Sequence, residues 1–425
     1  MSTNTIISPA SIRTEQAPIP AVSSRLLGIT YLILFLATFL SGILSMLMSV
    51  LLPVAVPDLL GKVPETQLNN AGAWINAVFI FGWMFGGLLW GVIGDRIGRS
   101  RSLALSIAGF GFFGLLTAMC NSWWQVCICR FFTGFGIGGL LVLSSVLVTE
   151  IWSEKKKSVV MGIVSLAMPV GFFAAGAINN FTEGWRAPFL ISVAPLVLGI
   201  AAWFILPESA DWAKVKKTTK ILSNKLAPPM PPGYRTNLLV GSIVFGTMLI
   251  GLWAIFSWAP TWIQTISSTD NAQQGRGTLM MIMAGGGIAG SFASGWIVNA
   301  AGLRKTIRAC FAVCFIMSLV IFKLTTTLSI VTYLELIVLA FFFGISQGAF
   351  AIYIPSLFPP SVCGTATGFC FNIGRLFTGT VVFFIGTLVT ILGGYGNAIF
   401  IFSFIFIIGL ISTYFRITET SKVTG

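Results

Sequence analysis

Two arginines lie inside long apolar stretches of the sequence, where a charge is costly. Arg130 lies seven residues after Trp123, and Arg375 lies eleven residues after Gly364, where another apolar stretch begins. If these stretches are membrane helices, a rise of about 1.5 Å per residue places the arginines roughly 10 Å and 16 Å deep. An arginine inside a membrane costs about 2.5–3.5 kcal/mol, so each should face a cavity or a partner. Because a guanidinium can bind a carboxylate through two parallel hydrogen bonds, the pattern predicts an anionic ligand.

The two arginines carry different expectations. Arg130 could equally be a packing residue whose guanidinium binds carbonyl groups of neighbouring helices. Arg375 has no evident acidic partner within the apolar stretches, which favours an anionic substrate as its partner. Asn372 precedes Arg375 by three residues and therefore shares its helix face. Other residues that could line the same cavity are Ser45, Gln347 and Trp258.

Two acidic residues are candidates for carrying a coupled proton. Glu335 lies within an apolar stretch near one end, and it could instead pair with Lys323 across a short turn. Glu150 lies at the end of its stretch, where pairing with Arg99 or Arg101 is the favoured alternative. The other acidic residues fall in or beside the connections between stretches.

The composition argues against catalysis. The chain contains no His, so imidazole acid–base chemistry and the commonest metal ligand are missing. Its seven Cys show no metal-site spacing, and the sequence contains no evident nucleophile–base set or phosphate-binding loop. We therefore expect no enzyme activity, no metal and no cofactor. The net charge of +13 resides mainly in short connections, so we expect no nucleic acid partner.

The elements that must position these residues are membrane helices. Hydrophobic residues make up 56% of the 425 residues and charged residues only 9%, well below the quarter that is typical of soluble domains. The sequence predicts an all-α membrane protein with twelve transmembrane helices in two pseudo-symmetric six-helix halves. The predicted segments are a disordered N-terminus (1–28), the first half (29–206), a linker (207–236), the second half (237–416) and a tail (417–425).

Lys and Arg fall unevenly on the two sides of the predicted membrane. If the N-terminus is inside, nineteen lie in cytoplasmic segments and four lie outside, namely Lys62, Arg186, Arg276 and Lys323. The positive-inside rule therefore predicts that both termini and the linker are cytoplasmic, in an inner or plasma membrane. We expect lipid contacts and a monomer.

A short basic loop is repeated half a chain later. The first copy, GVIGDRIGRSR, begins at Gly91, and the second, GWIVNAAGLRK, begins 204 positions on at Gly295. Two copies in register predict two homologous halves around a central cavity. We expect the loops to form a cytoplasmic conformational gate that contains Gly91, Asp95, Arg96, Gly98, Arg99, Arg101, Gly295, Asn299, Gly302 and Arg304.

The first loop resembles the signature loop between helices 2 and 3 of the major facilitator superfamily, which is echoed between helices 8 and 9. The motif RFFTGFG from Arg130 is similar to the fourth helix of proton-coupled members, and Pro207-Glu208-Ser209 resembles the sugar-porter and organic-acid branches. The stretch GTATGFCFNIGR, which ends at Arg375, resembles aromatic-acid and sialate proton symporters. Several features depart from these families. The first helix lacks the acidic pair of aromatic-acid symporters, Asn299 and Ala300 replace an acid–base pair, and the positions where Glu and Arg are common hold Ser356 and Cys363.

The resemblance implies a secondary transporter that works by alternating access. Together with the two arginines, it predicts proton-coupled symport of a small organic anion, such as an aromatic, sugar or sialic acid. A sugar or polyol transporter and an exporter of amphipathic compounds are open alternatives, the exporter being favoured by scarce buried acids and many Phe. A sensor with this fold is a third alternative, although it would normally carry a larger cytoplasmic domain.

Overall fold

The computed structural model describes residues 23–208, 234–267, 272–325, 327–358 and 363–415, and these are helical without strands. Within the described residues, twelve helical segments are long and apolar enough to cross a membrane. The predicted all-α fold is therefore confirmed. Most of the predicted N-terminal segment and linker, and the predicted tail, lie outside the described residues.

Six helical spans form each half. The first half contains α1 (Ser24–Leu60), α2 (Glu65–Ile97), α3 (Arg99–Thr117), α4 (Trp123–Ile151), α5 (Glu154–Phe181) and, after a 3-10 turn (Ala187–Ser192), α6 (Val193–Ile205). The second half contains α7 (Arg235–Ile266), α8 (Ala272–Ala301), α9 (Leu303–Leu319) with a π-helical turn (Val320–Leu324), α10 (Ile330–Ser356) and α11 (Cys363–Leu392). Its last span consists of α12 (Tyr395–Ser403) and α13 (Ile405–Ser412).

Glycines bring α2 against α4 and, in the same way, α8 against α10. A Cβ atom at Gly82 or Gly86 of α2 would overlap with a backbone carbonyl of α4. The equivalent positions at the 204-residue offset are Gly286 and Gly290 of α8, where a Cβ atom would crowd carbonyls of α10. Small residues allow such close helix contacts in membranes. The partner helices contribute their own close-packed glycines, namely Gly134, Gly138, Gly344 and Gly348.

The two halves meet along α2 and α11 and along α5 and α8. We call the end of the bundle opposite the α2–α3 loop the outer end. Gln273 at the start of α8 donates to the backbone oxygens of Asn179 and Thr182, at 2.7 and 2.8 Å. The Tyr395 hydroxyl of α12 donates to Oδ1 of Asn69 in α2. These contacts hold the halves together at the outer end.

The helices α1 and α7 occupy the middle of the bundle. They are buried over 78% and 72% of their most apolar stretches, compared with 28% for α5. Side chains from α1 and α7 therefore meet side chains of the surrounding helices, whereas much of α5 faces outward. This arrangement places the interior polar residues between the two halves.

Candidate functional site

The guanidinium of Arg375 lies in the interior of the bundle, where α11 faces α2. Its Nη1 atom donates to Oδ1 of Asn372 at 3.3 Å, and its central carbon lies 5.4 Å from the centroid of the Trp83 ring. The side chain is half-buried, and within the described part of the chain no acidic side chain pairs with it. Most of its five N–H donors are therefore free to bind a ligand.

Asn372 lies beside Arg375, as its spacing predicted. Its Nδ2 atom donates to the Gly368 oxygen at 2.9 Å, which leaves Oδ1 to accept from Arg375. A Cβ atom at Gly87 of α2 would lie 2.9 Å from this Oδ1, so glycine provides the space that Asn372 occupies. The Arg375 cation is thus positioned against the first half.

Trp83, which lies beside Arg375, belongs to a cluster of three aromatic rings that joins the two halves. Trp83 of α2 and Trp253 of α7 meet edge to face, with ring centroids 5.4 Å apart. Phe79, one turn from Trp83, lies 5.8 Å from Trp83 and 6.4 Å from Trp253. Such rings favour the flat faces and edges of conjugated compounds.

Arg130 lies on the other side of these rings, and it does not face a cavity. Its Nη1 and Nη2 atoms donate to the backbone oxygens of Leu44 and Ser45 at 2.7 and 3.4 Å, and the residue is 1% exposed. Its guanidinium carbon lies 4.0 Å from the centroid of the Phe79 ring, a cation–π distance. Because carbonyls of α1 and the Phe79 ring surround the cation, the structure favours the packing interpretation over direct contact with substrate.

The other predicted lining residues are not gathered around Arg375. The Ser45 hydroxyl donates to the Ser41 oxygen at 2.7 Å within α1 and is buried. Trp258 is buried against Tyr395 and lines a separate cavity of about 200 Å³ at the outer end. Gln347 is half-buried, and its amide nitrogen is buried without a hydrogen-bond partner. The indole nitrogen of Trp258 is also buried without a partner, so Trp258 and Gln347 both have an unsatisfied donor that a ligand could use.

One interior polar residue was missed from the sequence. Asn76 of α2 is 3% exposed and lies one turn before Phe79. Its Oδ1 accepts from Ser49 at 3.4 Å, whereas its Nδ2 is buried without a partner. A single Asn within an apolar stretch was the available signal.

The α2–α3 loop forms an ionic network within the first half. Arg99 pairs with Asp95 one helical turn away, and its Nε lies 3.5 Å from Oε1 of Glu150 at the end of α4. The structure thus contains the pair that was the favoured alternative for Glu150. Gly98 between α2 and α3 has φ of 123°, a conformation that glycine adopts without strain.

The residues that begin the linker also bind this loop. Glu208 accepts from the Ser100 backbone N–H at 3.1 Å, at the start of α3. A carboxylate in this position satisfies a free N–H group and opposes the positive end of the helix dipole. Arg101 lies 5.8 Å from the Trp203 ring centroid, and Arg96 is exposed. The other predicted residue here, Gly91, lies inside α2.

The α8–α9 loop keeps the backbone of the first loop without its ionic network. Gly302 has φ of 86° and separates α8 from α9. Gly295, Asn299 and Arg304 are exposed, and neither polar side chain hydrogen bonds to a described residue. Arg308 of α9 instead donates to the Thr413 hydroxyl and backbone oxygen, both at 3.1 Å.

At the outer end, one pairing that the sequence left open as an alternative is absent, and one placement of a charged residue is wrong. Lys323 donates to Asn397 at 3.1 Å, and half-buried Glu335 accepts from the Thr325 hydroxyl at 3.4 Å, so the alternative Lys323–Glu335 pair is absent. Thr325, which directly follows the π-helical turn of the first span, binds Glu335 of the second helix instead. Arg276, counted with the outer loops, lies inside α8 and is 3% exposed because it binds Gln264. Among the described residues, no group of three or more His, Cys, Asp or Glu could hold a metal ion.

Comparison with known proteins identifies the fold and the family. The model of a family described as the Major Facilitator Superfamily matches residues 34–381. A cis,cis-muconate transport protein of Acinetobacter baylyi is 25% identical over 311 residues, which cover 69% of this chain and 73% of that protein. A benzoate transport protein of the same organism is 30% identical over 165 residues, which cover 36% of this chain and 35% of that protein.

A solved structure shares the overall architecture. The crystal structure of D-xylose-proton symporter superposes with a TM-score of 0.77 and covers 94% of this chain and 99% of that one. Its sequence identity to this chain is 17%, so the similarity concerns the fold.

Proposed function

This chain belongs to the major facilitator superfamily of membrane transporters, and on that premise we propose that it takes up a small organic anion together with protons. The observation that supports an anion is Arg375, a half-buried interior cation whose hydrogen-bond partner among the described residues is the neutral Asn372. A neutral substrate would leave this charge uncompensated in the interior. A carboxylate would accept two of its free donors.

The proposed substrate has a flat, conjugated body beside its carboxylate. A carboxylate bound to Arg375 places the rest of the molecule near Trp83 and Trp253, which offer edges and faces to it. The unsatisfied amide nitrogens of Asn76 and Gln347 are further donors for substrate oxygens. The named relatives that transport muconate and benzoate, both carboxylates, agree with this proposal.

Proton coupling follows from the charge of the proposed substrate. Moving one negative charge into a cell against an inside-negative potential costs about 2.3 kcal/mol per 100 mV. Co-transport of one proton cancels this cost because the anion and the proton together carry no net charge. With a second proton the net charge is positive, so the inside-negative potential favours uptake. Glu335, half-buried at the outer end, is the proposed carrier, and Glu150 is the alternative. The contacts that hold the outer end together support a cycle of alternating access, because the opposite state must break them.

Transport by purified protein in proteoliposomes tests the anion. Benzoate and benzamide differ in charge and little in shape, and xylose represents a neutral sugar. We expect benzoate or cis,cis-muconate uptake to exceed benzamide and xylose uptake at least tenfold. In Arg375→Ala the preference for benzoate over benzamide should largely disappear. Removing the guanidinium and replacing the substrate's carboxylate by an amide break the same interaction, so their effects should not add. The proposal would be contradicted if xylose were taken up in preference to benzoate. It would also be contradicted if wild type and Arg375→Ala preferred benzoate over benzamide to the same extent.

Accumulation against a gradient tests the proton carrier. Glu335→Gln should abolish uptake driven by an inward proton gradient while benzoate counterflow, which needs no net proton movement, continues. Glu183→Gln, which changes an exposed acid at the same end, is the matched control and should behave as wild type. Continued uphill accumulation by Glu335→Gln would transfer the role to Glu150.

A further inference from the structure

Two cysteine thiols contact each other at the outer end of the first half. Cys120 lies in the turn between α3 and α4, and Cys129 lies in the second turn of α4. Their Sγ atoms are 3.7 Å apart, and the residues are 6% and 8% exposed. Among the cysteines whose side chains the structure describes, no second pair has its sulfur atoms in contact.

The geometry requires only a small movement for a bond between them. A disulfide has an S–S length of about 2.05 Å, so the sulfur atoms must approach by roughly 1.7 Å. Because the two sulfur atoms already touch, no other side chain has to leave the space between them.

The backbone on both sides of the pair is held by arginines of the same half. Arg186, which also binds Asp58 of α1, donates to the Cys120 backbone oxygen at 3.3 Å. Cys129 directly precedes Arg130, whose guanidinium binds the Leu44 and Ser45 carbonyls of α1. These contacts limit separation of the two cysteines.

From this placement we infer that Cys120 and Cys129 are a redox-active dithiol site, which closes to an internal disulfide when a small disulfide compound reaches the outer end. A thiolate of one cysteine attacks the S–S bond of the compound and releases one thiol. The second cysteine then attacks the mixed disulfide and releases another. The two cysteines lose two electrons and two protons, and the compound gains both.

The surroundings explain why the pair remains reduced without an oxidant. A hydrogen bond to Cys129, and then burial, raise the pKa of the Cys120 thiol, so this thiol is protonated at neutral pH. The proposed orientation places the pair on the side of the membrane where thiols meet oxidising conditions. The bond lies within one half and does not cross the interface between halves. It should therefore raise thermal stability without preventing movement of one half against the other.

Mass spectrometry of one peptide tests the site. Trypsin releases residues 102–130 as a single peptide with three cysteines, Cys120, Cys127 and Cys129. The purified full-length protein is treated with dipyridyl disulfide, then denatured and alkylated without reductant. We expect one label instead of three, on Cys127, and a mass about 2 Da lower before labelling because two hydrogens are lost. Three labels, or a label on Cys120 or Cys129, would overturn the inference.

Variants and melting curves separate a disulfide from unrelated oxidation. Cys127→Ser, a half-buried neighbour, should still form the bond and carry no label, whereas Cys120→Ser cannot form the bond and should hold Cys129 as a labelled thiol or as a pyridyl mixed disulfide. Oxidation should raise the melting temperature of wild type and Cys127→Ser by a few degrees, measured by Trp fluorescence, because a cross-link constrains the unfolded chain. An equal rise in Cys120→Ser would assign the effect to other thiols and overturn the inference.

Discussion

The two halves of this transporter share a helix arrangement but use their charged residues differently. In the first half, both terminal nitrogens of interior Arg130 bind backbone carbonyls of α1, and the loop residue Arg99 is paired with Asp95 and Glu150. In the second half, interior Arg375 has one neutral acceptor among the described residues, and the loop residue Arg304 is exposed. The first half thus supplies partners for these cations from within the protein, whereas the interior cation of the second half is available to a ligand.

This difference predicts a structural role for Arg130 and a ligand-binding role for Arg375. An arginine whose donors are occupied stabilises the contact between helices and has little left for a ligand. An arginine with free donors in the interior is costly until a ligand binds it. The first half should therefore depend on its charges for folding and for the transport cycle, and the second should depend on Arg375 for binding.

The largest expected effect is the loss of stability in Arg130→Ala. The change removes two charge-assisted hydrogen bonds and a cation–π contact, and it leaves a cavity beside Phe79. We expect a loss of about 2–4 kcal/mol in the free energy of unfolding, seen as reduced yield of folded protein and a melting temperature lower by several degrees. Arg96→Ala, at an exposed position, is the control and should melt as wild type. A stable Arg130→Ala protein that no longer binds substrate would show that Arg130 contacts the substrate after all.

Arg375→Ala should reverse this pattern, with normal folding and weak binding. Hydrogen bonds to charged groups contribute about 1.5–3 kcal/mol, so benzoate affinity should fall roughly 10- to 150-fold, measured by Trp fluorescence quenching. Arg375→Lys should lie between wild type and Arg375→Ala, because an ammonium keeps the charge but lacks the planar fork. A melting temperature reduced as far as that of Arg130→Ala would instead make Arg375 a packing residue.

The sequence predicted the features of the two halves that depend on the spacing of residues along the chain. Apolar length predicted the twelve spans, the three-residue spacing predicted the Arg375–Asn372 contact, and two loops 204 positions apart predicted the repeated halves. The partners of Arg130 could not be predicted, because Leu44 and Ser45 lie more than eighty positions earlier and bind through backbone atoms that every residue has. The cluster of Trp83 and Trp253 likewise depends on how the halves meet, which local pattern does not encode.

A smaller effect is expected from the loop of the first half. Asp95→Asn removes one partner of Arg99, and Glu208→Gln weakens the contact with the start of α3. Pairs this close to solvent contribute at most about 1 kcal/mol to stability, so melting temperatures should change little. If the loop acts in the movement between states, as we propose, transport of benzoate should slow several-fold while equilibrium binding is unchanged. Weaker substrate binding at a normal exchange rate would show that these residues do not belong to the gate.

The smallest effect is expected from Arg304→Ala, which sharpens the comparison between the two loops. Arg304 occupies the basic end of the second loop, but its side chain is exposed and hydrogen bonds to no described residue. The start of α9 is held instead by Arg308, whose guanidinium binds Thr413 and lies 3.8 Å from the Tyr414 ring centroid. Because Arg304→Ala breaks no hydrogen bond with a described residue, transport should stay within about twofold of wild type, in keeping with the small effects of isolated surface charges. Arg308→Ala, measured in parallel, should lower the melting temperature, since it detaches α9 from the last span. If Arg304→Ala slows transport as much as Asp95→Asn does, the second loop contacts the first half during the cycle, and the two loops are equal members of the gate.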